Sequence, residues 1–330
     1  MRIRVLVGLV AILPTWAYAD YNAAVTAVER GNYPQAITEL NPLLKKGDKD
    51  AQYLMGFMYF NGLGVQRDLG AAIRYLRQAT DQGHEWARLL LGISLNANGE
   101  FVEAAKHLRW AADKKETSAQ YLLAMMYMGG KGVPQDYVEA ARLFRSASDL
   151  GNESAMTKLG QLYYGGIGVK KDPVEAVRLF RLAAEKGEAQ AQLLLGELLY
   201  YGEGTPANPK EAVSWWMKAA AKGGWPDADG RLGWAYHEGK GVSRDDREAA
   251  KWLRRGAEAG SDFSQLALGT LYRDGAGVEK NLVTALMWMR LAEAQNYAGS
   301  TEHINHIIQF MTPEQVNEAN RLAKQRGQKN

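Results

Sequence analysis

The sequence predicts an all-α fold, an array of stacked helical hairpins, and three observations carry that expectation. A small residue recurs at Gly56, Gly92, Ala124, Gly160, Gly196, Gly233 and Gly269, at spacings of 36, 32, 36, 36, 37 and 36 residues. Each interval holds two stretches of helical periodicity, which is how paired helices stacked along a line read in sequence. The composition, 46% hydrophobic and 23% charged, is ordinary for a folded chain and excludes wholesale disorder.

Residues 1–19 read as a secretory signal peptide. Arg2 and Arg4 precede an apolar run from Val5 to Leu13, and Ala17 and Ala19 flank Tyr18 ahead of Asp20; a basic start, a short apolar stretch and small residues at the cleavage point are its three parts. Pro14 interrupts the run, which lies near the lower limit of about 17 residues for a membrane span. The alternative is an uncleaved N-terminal anchor. Cleavage after Ala19 leaves an exported chain, periplasmic or secreted, with no stable membrane anchor. It also removes two of the 40 basic residues and none of the 37 acidic ones, so the remaining charge is nearly balanced and gives no footprint for nucleic acid. The absence of cysteine excludes disulfides, thiolate metal sites and cysteine-linked lipid.

Residues 20–50 form an N-terminal hairpin cap in this reading, with Gly31-Asn32 as its turn, Ala36 in the second helix and Gly47 closing it. Residues 51–296 then hold seven repeats. The first helix of each is apolar at i, i+4 and i+8, as at Ala51, Met55 and Tyr59, so one face is buried. A Gly-x-Gly-Val turn follows in most repeats, as at Gly62, Gly64 and Val65. Four residues after its second glycine stand Asp68, Asp136, Asp172, Asn208, Asp245 and Asn281, preferred N-cap types that satisfy the free N–H groups at a helix start. Ala72, Ala140, Ala176, Ala212, Ala249 and Ala285 come four later, then bulky residues such as Leu143-Phe144 or Trp215-Trp216. Small and large residues at this spacing fit one helix ridge into its neighbours' grooves. Gly83, Gly151, Gly187, Gly223 and Gly260 end the second helix, with Asn296 in the last repeat, as a left-handed C-cap requires. The second repeat, near residues 87–115, is degenerate: it lacks Gly-x-Gly-Val, and Lys115 stands where the closing glycine belongs.

The pattern A…LG..Y..G.GV..D…A, over about residues 21–296, resembles that of the Sel-one-like repeat (SLR) family, relatives of the tetratricopeptide repeats. The resemblance implies a right-handed superhelical α-solenoid of antiparallel helix pairs, used as an adaptor whose concave surface holds other proteins. Residues 297–330 depart from the pattern and read as C-terminal capping helices with a basic tail. One helix begins near Ser300 or Thr301, and a second has Thr312 as N-cap, Pro313 at its first position and Gln315 completing a capping box.

A search for chemistry returns little. No G-x-x-x-x-G-K-[ST] phosphate loop or G-x-S-x-G elbow occurs. The resemblance raises β-lactam chemistry, but no serine has a lysine three residues on. His303 and His306 with Glu302 make two imidazoles without a convincing third ligand and read as surface histidines. Trp215, Trp252 and Trp288 share one offset and read as packing residues. The expectation is a non-enzyme with no cofactor and no metal.

What remains is the variable face of each first helix. It carries Leu54, Phe57 and Phe60, then Leu90 and Ile93, then Leu122, Met125 and Met128. Lys158, Gln161 and Tyr164 follow, then Leu194, Glu197 and Tyr200, Arg231, Trp234 and His237, and Ala267, Thr270 and Arg273. By analogy with tetratricopeptide arrays this face lines the concave groove. The candidate partner-binding residues are Leu54, Phe57, Phe60, Ile93, Leu122, Met125, Met128, Tyr164, Tyr200, Trp234 and His237. A Met-containing apolar groove suits an amphipathic helix or an extended apolar peptide; the alternative is that curvature or self-association buries the same side chains. The expected function is an exported scaffold for a protein or peptide ligand of the cell envelope. Its rivals are a structural subunit of a polysaccharide or cell-wall assembly and, more distantly, a peptidoglycan- or β-lactam-acting enzyme.

Overall fold

The computed structural model describes residues 19–328, with side chains from Tyr21 onward. The expected signal peptide therefore lies outside the described residues, except for Ala19, where the first helix begins. The described residues are helical, with no strand among them, and form two compact units divided between Leu150 and Gly151.

The first unit holds four hairpins: α1 (Ala19–Glu29) with α2 (Tyr33–Lys45), α3 (Lys49–Asn61) with α4 (Leu69–Asp81), α5 (Glu85–Asn98) with α6 (Phe101–Asp113), and α7 (Thr117–Gly129) with α8 (Tyr137–Asp149). The second unit continues with α9 (Glu153–Gly165) and α10 (Pro173–Glu185), α11 (Ala189–Tyr201) and α12 (Pro209–Ala221), α13 (Pro226–Glu238) and α14 (Asp246–Glu258), and α15 (Asp262–Asp274) and α16 (Leu282–Ala294). It ends with α17 (Ser300–Ile307), a short 3₁₀ turn and α18 (Pro313–Gly327). In most hairpins the two helices pack more densely on each other than on their neighbours; α5 is the exception, packing on α4 as densely as on its own partner α6. The odd-numbered helix of each hairpin is called here its A helix and the even-numbered one its B helix.

The recurring letters do the work that their chemistry implies. Asp68, Asp136, Asp172, Asn208, Asp245 and Asn281 each accept a backbone N–H at the start of a B helix. Six of the eight B helices are closed by a glycine of positive φ, and among the described residues the non-glycine ones with positive φ are Lys115 (65°) and Asn296 (61°), which close the other two. The degenerate repeat thus keeps the backbone turn even without its glycine. The small A-helix residue is where the B helix comes closest: a Cβ on Gly160 would lie 2.6 Å from the Phe180 ring, and one on Gly196 would collide with Trp216. The second glycine of the turn has a further duty. At Gly132, Gly204 and Gly277 any side chain would strike the first residue of the preceding B helix, Phe101, Pro173 or Asp246, so this glycine docks one hairpin on the one before it.

A buried glutamine, which periodicity did not single out, also ties hairpins together. Gln120 Nε2 donates to the Ala112 carbonyl at 3.2 Å, Gln192 to Ala184 at 3.1 Å and Gln265 to Ala257 at 3.3 Å, in each case the end of the preceding B helix. The terminal helices close the second unit. Ile304 and Ile307 pack against Leu286 and Met289, and Ala323 of α18 joins Met287 and Trp288. Thr312 and Gln315 form the expected capping box.

Candidate functional site

The exposed face of the A helices differs between the units. In the first, Phe57, Phe60, Ile93, Leu122 and Met128 are half-buried and Met125 is exposed. They follow one another along α3, α5 and α7 as an apolar row. Phe57 also leans on the cluster built by α1 to α3. Leu54 is a correction to the sequence reading: it is fully buried with Ala24, Val28 and Leu40, because α1 packs against α3 and covers this position, and it offers nothing to a ligand.

In the second unit the face is held by its own polar contacts. Arg231 Nε donates to Glu197 Oε1 at 2.8 Å, and its guanidinium lies 4.4 Å from the Phe263 ring centroid. Phe263 stands edge-on to Trp234 on one side and to Tyr297 on the other, each at 6.3 Å between centroids. His237 packs on Trp234 at 5.2 Å and its Nδ1 meets Asp246 at 2.6 Å. Burial alone would raise the Asp246 carboxyl, but hydrogen bonds from Arg244 and His237 outweigh it and hold the group below the usual carboxylate range. Tyr164 is exposed and donates to Glu203 at 2.6 Å.

Tyr200 is the second correction. It is buried against Trp216 and Tyr201, donates its hydroxyl to Glu238 at 2.5 Å and lies beneath the Lys240 ammonium; burial and the Glu238 hydrogen bond push its phenol well up. Its neighbour Tyr201 is the exposed ring. Two consecutive tyrosines look alike in sequence, and only the Trp216 contact decides which one turns inward. Phe263 and Tyr297 were missed altogether: the first lies outside the periodic face positions, and the second follows the last repeat.

Among the described residues no three His, Asp or Glu side chains converge on a metal-sized site, and His303 faces Arg273 at 3.4 Å. No described helix is long and apolar enough to cross a membrane.

The Sel1 repeat family model matches residues 49–84, 117–152, 153–188, 189–224, 226–261 and 263–297. The stretch between the first two matches is the degenerate repeat. Among solved structures the chain is similar to a Sel1 repeat protein from Oxalobacter formigenes, at 30% identity and a TM-score of 0.65, over 72% of this chain and 96% of that one. It is also similar to a protective antigen present in uropathogenic Escherichia coli strains that displays an SLR fold, at 29% identity and a TM-score of 0.59, over 93% of this chain and 75% of that one. No curated protein matches the chain.

Proposed function

The chain belongs to the Sel1 repeat family, whose fold typically serves protein–protein interaction, and we propose that it is an exported, non-catalytic scaffold that holds an apolar peptide segment on the A helices of its first unit. One observation carries this reading: half-buried Phe60, Ile93, Leu122 and Met128 and exposed Met125 stand on the variable face of α3, α5 and α7, and none of the ion pairs among the described residues involves that face. Methionine adapts to irregular partners, and an apolar row of this kind accepts one face of an amphipathic helix. The export half of the proposal rests on the Arg2 to Ala19 pattern and is favoured by the likeness to a protective antigen.

The test is crosslinking in the native host's envelope, comparing wild type with a Met125→Glu, Met128→Glu variant whose helix content is unchanged by circular dichroism. Loss of one specific protein from the variant's catch is the expected result, and an unchanged catch removes the first unit's face from the function. The mass of the native protein purified from isolated envelope and from cytoplasm tests export: a chain starting at Asp20 in the envelope supports it, and a chain starting at Met1 found in the cytoplasm overturns it.

A further inference from the structure

The chain has no cysteine, so methionine carries all of its oxidisable sulfur, and the fold divides these side chains by access. Met55, Met58, Met126, Met156, Met287 and Met289 are each at most 7% exposed. Met311 is half-buried and packs on the cluster that closes the second unit. Met217, on the B helix α12, is 39% exposed and Met125 is 37% exposed, with Met128 half-buried. Among the described residues of the first unit, the sulfurs that water reaches are therefore those of Met125 and Met128, and both belong to the variable face of α7. Residues three apart share a helix face, whereas Met126, between them, is turned into the core at 2% exposure.

No other repeat places sulfur on this face. The counterparts of Met125 are Phe57, Ile93, Gln161, Glu197, Trp234 and Thr270, and no counterpart of Met128 is a methionine. Leucine fills nearly the same volume as methionine and is as apolar, but only the thioether takes up oxygen, which turns an apolar side chain into a polar one. A sulfoxide oxygen needs a hydrogen-bond donor or water, and burying it without one is unfavourable. The side chains that share the face in this unit, Phe57, Phe60, Ile93 and Leu122, have no donor to offer.

We propose that Met125 and Met128 are a reversible oxidation site, and that their conversion to sulfoxides by a peroxide releases the partner from the first unit's A-helix face. The proposal rests on the reading of that face as the binding surface and adds its regulation. In the forward step a sulfur lone pair attacks the peroxide, and an S–O bond forms as the O–O bond breaks. The departing hydroxide takes the hydrogen of the transferred oxygen and leaves as water, so that sulfur is oxidised and the peroxide reduced. Reversal needs a separate dithiol reductase, because this chain has no thiol: the S–O bond breaks, the oxygen leaves as water and the two thiols become a disulfide.

Hydrogen peroxide on the purified full chain, followed by peptide mass mapping, should add one oxygen each to Met125 and Met217, then to Met128, and spare Met126, with helix content by circular dichroism unchanged. The oxidised chain should crosslink at least about tenfold less of the envelope protein that the Met125→Glu, Met128→Glu variant loses, and methionine sulfoxide reductase should restore the catch. In a Met125→Leu, Met128→Leu variant, whatever its own level of catch, peroxide should remove none of it, while Met217→Leu should respond as wild type does. Sparing of Met125 where Met217 is oxidised, a catch unchanged by oxidation, a loss that the reductase does not reverse, or an equal loss in the leucine variant overturns the proposal. The binding face is judged without peroxide. A wild-type catch in the glutamate variant removes the face and this proposal together, whereas a partner lost there but kept by the oxidised chain removes the redox response alone.

Discussion

The A helices of residues 19–150 and those of residues 151–328 share their packing letters and differ in what fills the variable positions. In the first unit the candidate side chains are aliphatic, methionine and phenylalanine, and all but Leu54 are half-buried or exposed. In the second, Glu197, Arg231, Trp234, Phe263 and Tyr297 are joined by an ion pair and edge-on rings. A repeat fixes where side chains point but not whether they are already engaged. The second unit's surface spends its polar groups on its own neighbours, and the proposed binding face lies on the first unit, where these contacts are lacking among the described residues.

The tightness of the hairpins gives the largest test. Gly196 faces Trp216, whose ring leaves no room for a Cβ, whereas a Cβ on Gly92 would sit 3.1 Å from His107 and Leu108. Gly196→Ala gains helix propensity of about 1 kcal/mol but overpacks a filled site, and should destabilise by about 2 kcal/mol net. Gly92→Ala should change stability by less than about 0.5 kcal/mol. Urea titration measures both. Ala124 and Phe144, both fully buried, stand at the two offsets that Gly196 and Trp216 occupy in their repeat, so Trp216→Phe should recover about 1 kcal/mol in a double-mutant cycle with Gly196→Ala; no coupling would break the size-matching account.

A smaller effect probes the faces themselves. Arg231→Ala removes a partly buried pair with Glu197 and the stacking on Phe263, and should cost about 1.5 kcal/mol by thermal unfolding. Met125→Ala, on an exposed side chain that packs on little, should cost under about 0.5 kcal/mol and act on partner binding instead. If the two substitutions cost the same, the contrast between an engaged and a free face fails.

Most of the fold was legible because its determinants are local. An aspartate that caps a helix, a glycine that closes one and an alanine at a fixed offset act within a few residues of their own position, and all stand where the spacing put them. The candidate face was legible only as far as a single helix determines exposure. Leu54 is buried because α1 covers it and Tyr200 because Trp216 draws it inward, and both causes lie far along the chain. Nothing in the letters at Leu150 and Gly151 marks the division into two units.

Lys115 offers a still smaller change. With φ at 65° it sits in a left-handed conformation that costs an ordinary residue about 1–2 kcal/mol, part of which glycine returns through the greater freedom of its unfolded chain. Lys115→Gly should therefore stabilise the first unit by about 0.5 to 1 kcal/mol, measured by thermal unfolding.

The units should also part company as pH falls. His84 caps α5 by accepting the Ala87 N–H on Nδ1 at 3.0 Å, while Nε2 faces Asp50 of α3 at 3.3 Å and the ring stacks on Tyr53 at 4.5 Å. Burial lowers its pKa, the opposing pull of Asp50 being the smaller effect, and burial also lowers that of His107, which faces Glu103 and Arg88. The folded state thus binds these protons less readily than the unfolded chain. The stability they contribute is present above about pH 6.5, the ordinary histidine value, and is lost as pH falls from there toward the folded values. Protonation at Nδ1 also takes away the acceptor that caps α5. Burial also raises the Asp50 carboxyl, the pull of His84 being the smaller effect, and a raised acid acts in the opposite sense as pH falls. In the second unit Asp246 lies below its usual value, so its contribution is lost only in stronger acid. Hydrogen exchange at pH 7.5 and 5.5, corrected for intrinsic rates, should show α5 opening more readily at the lower pH while α13 and α14 change less. His84→Asn supplies a cap that does not titrate in this range and should remove most of the α5 response; an unchanged response in that variant would assign it to His107 instead.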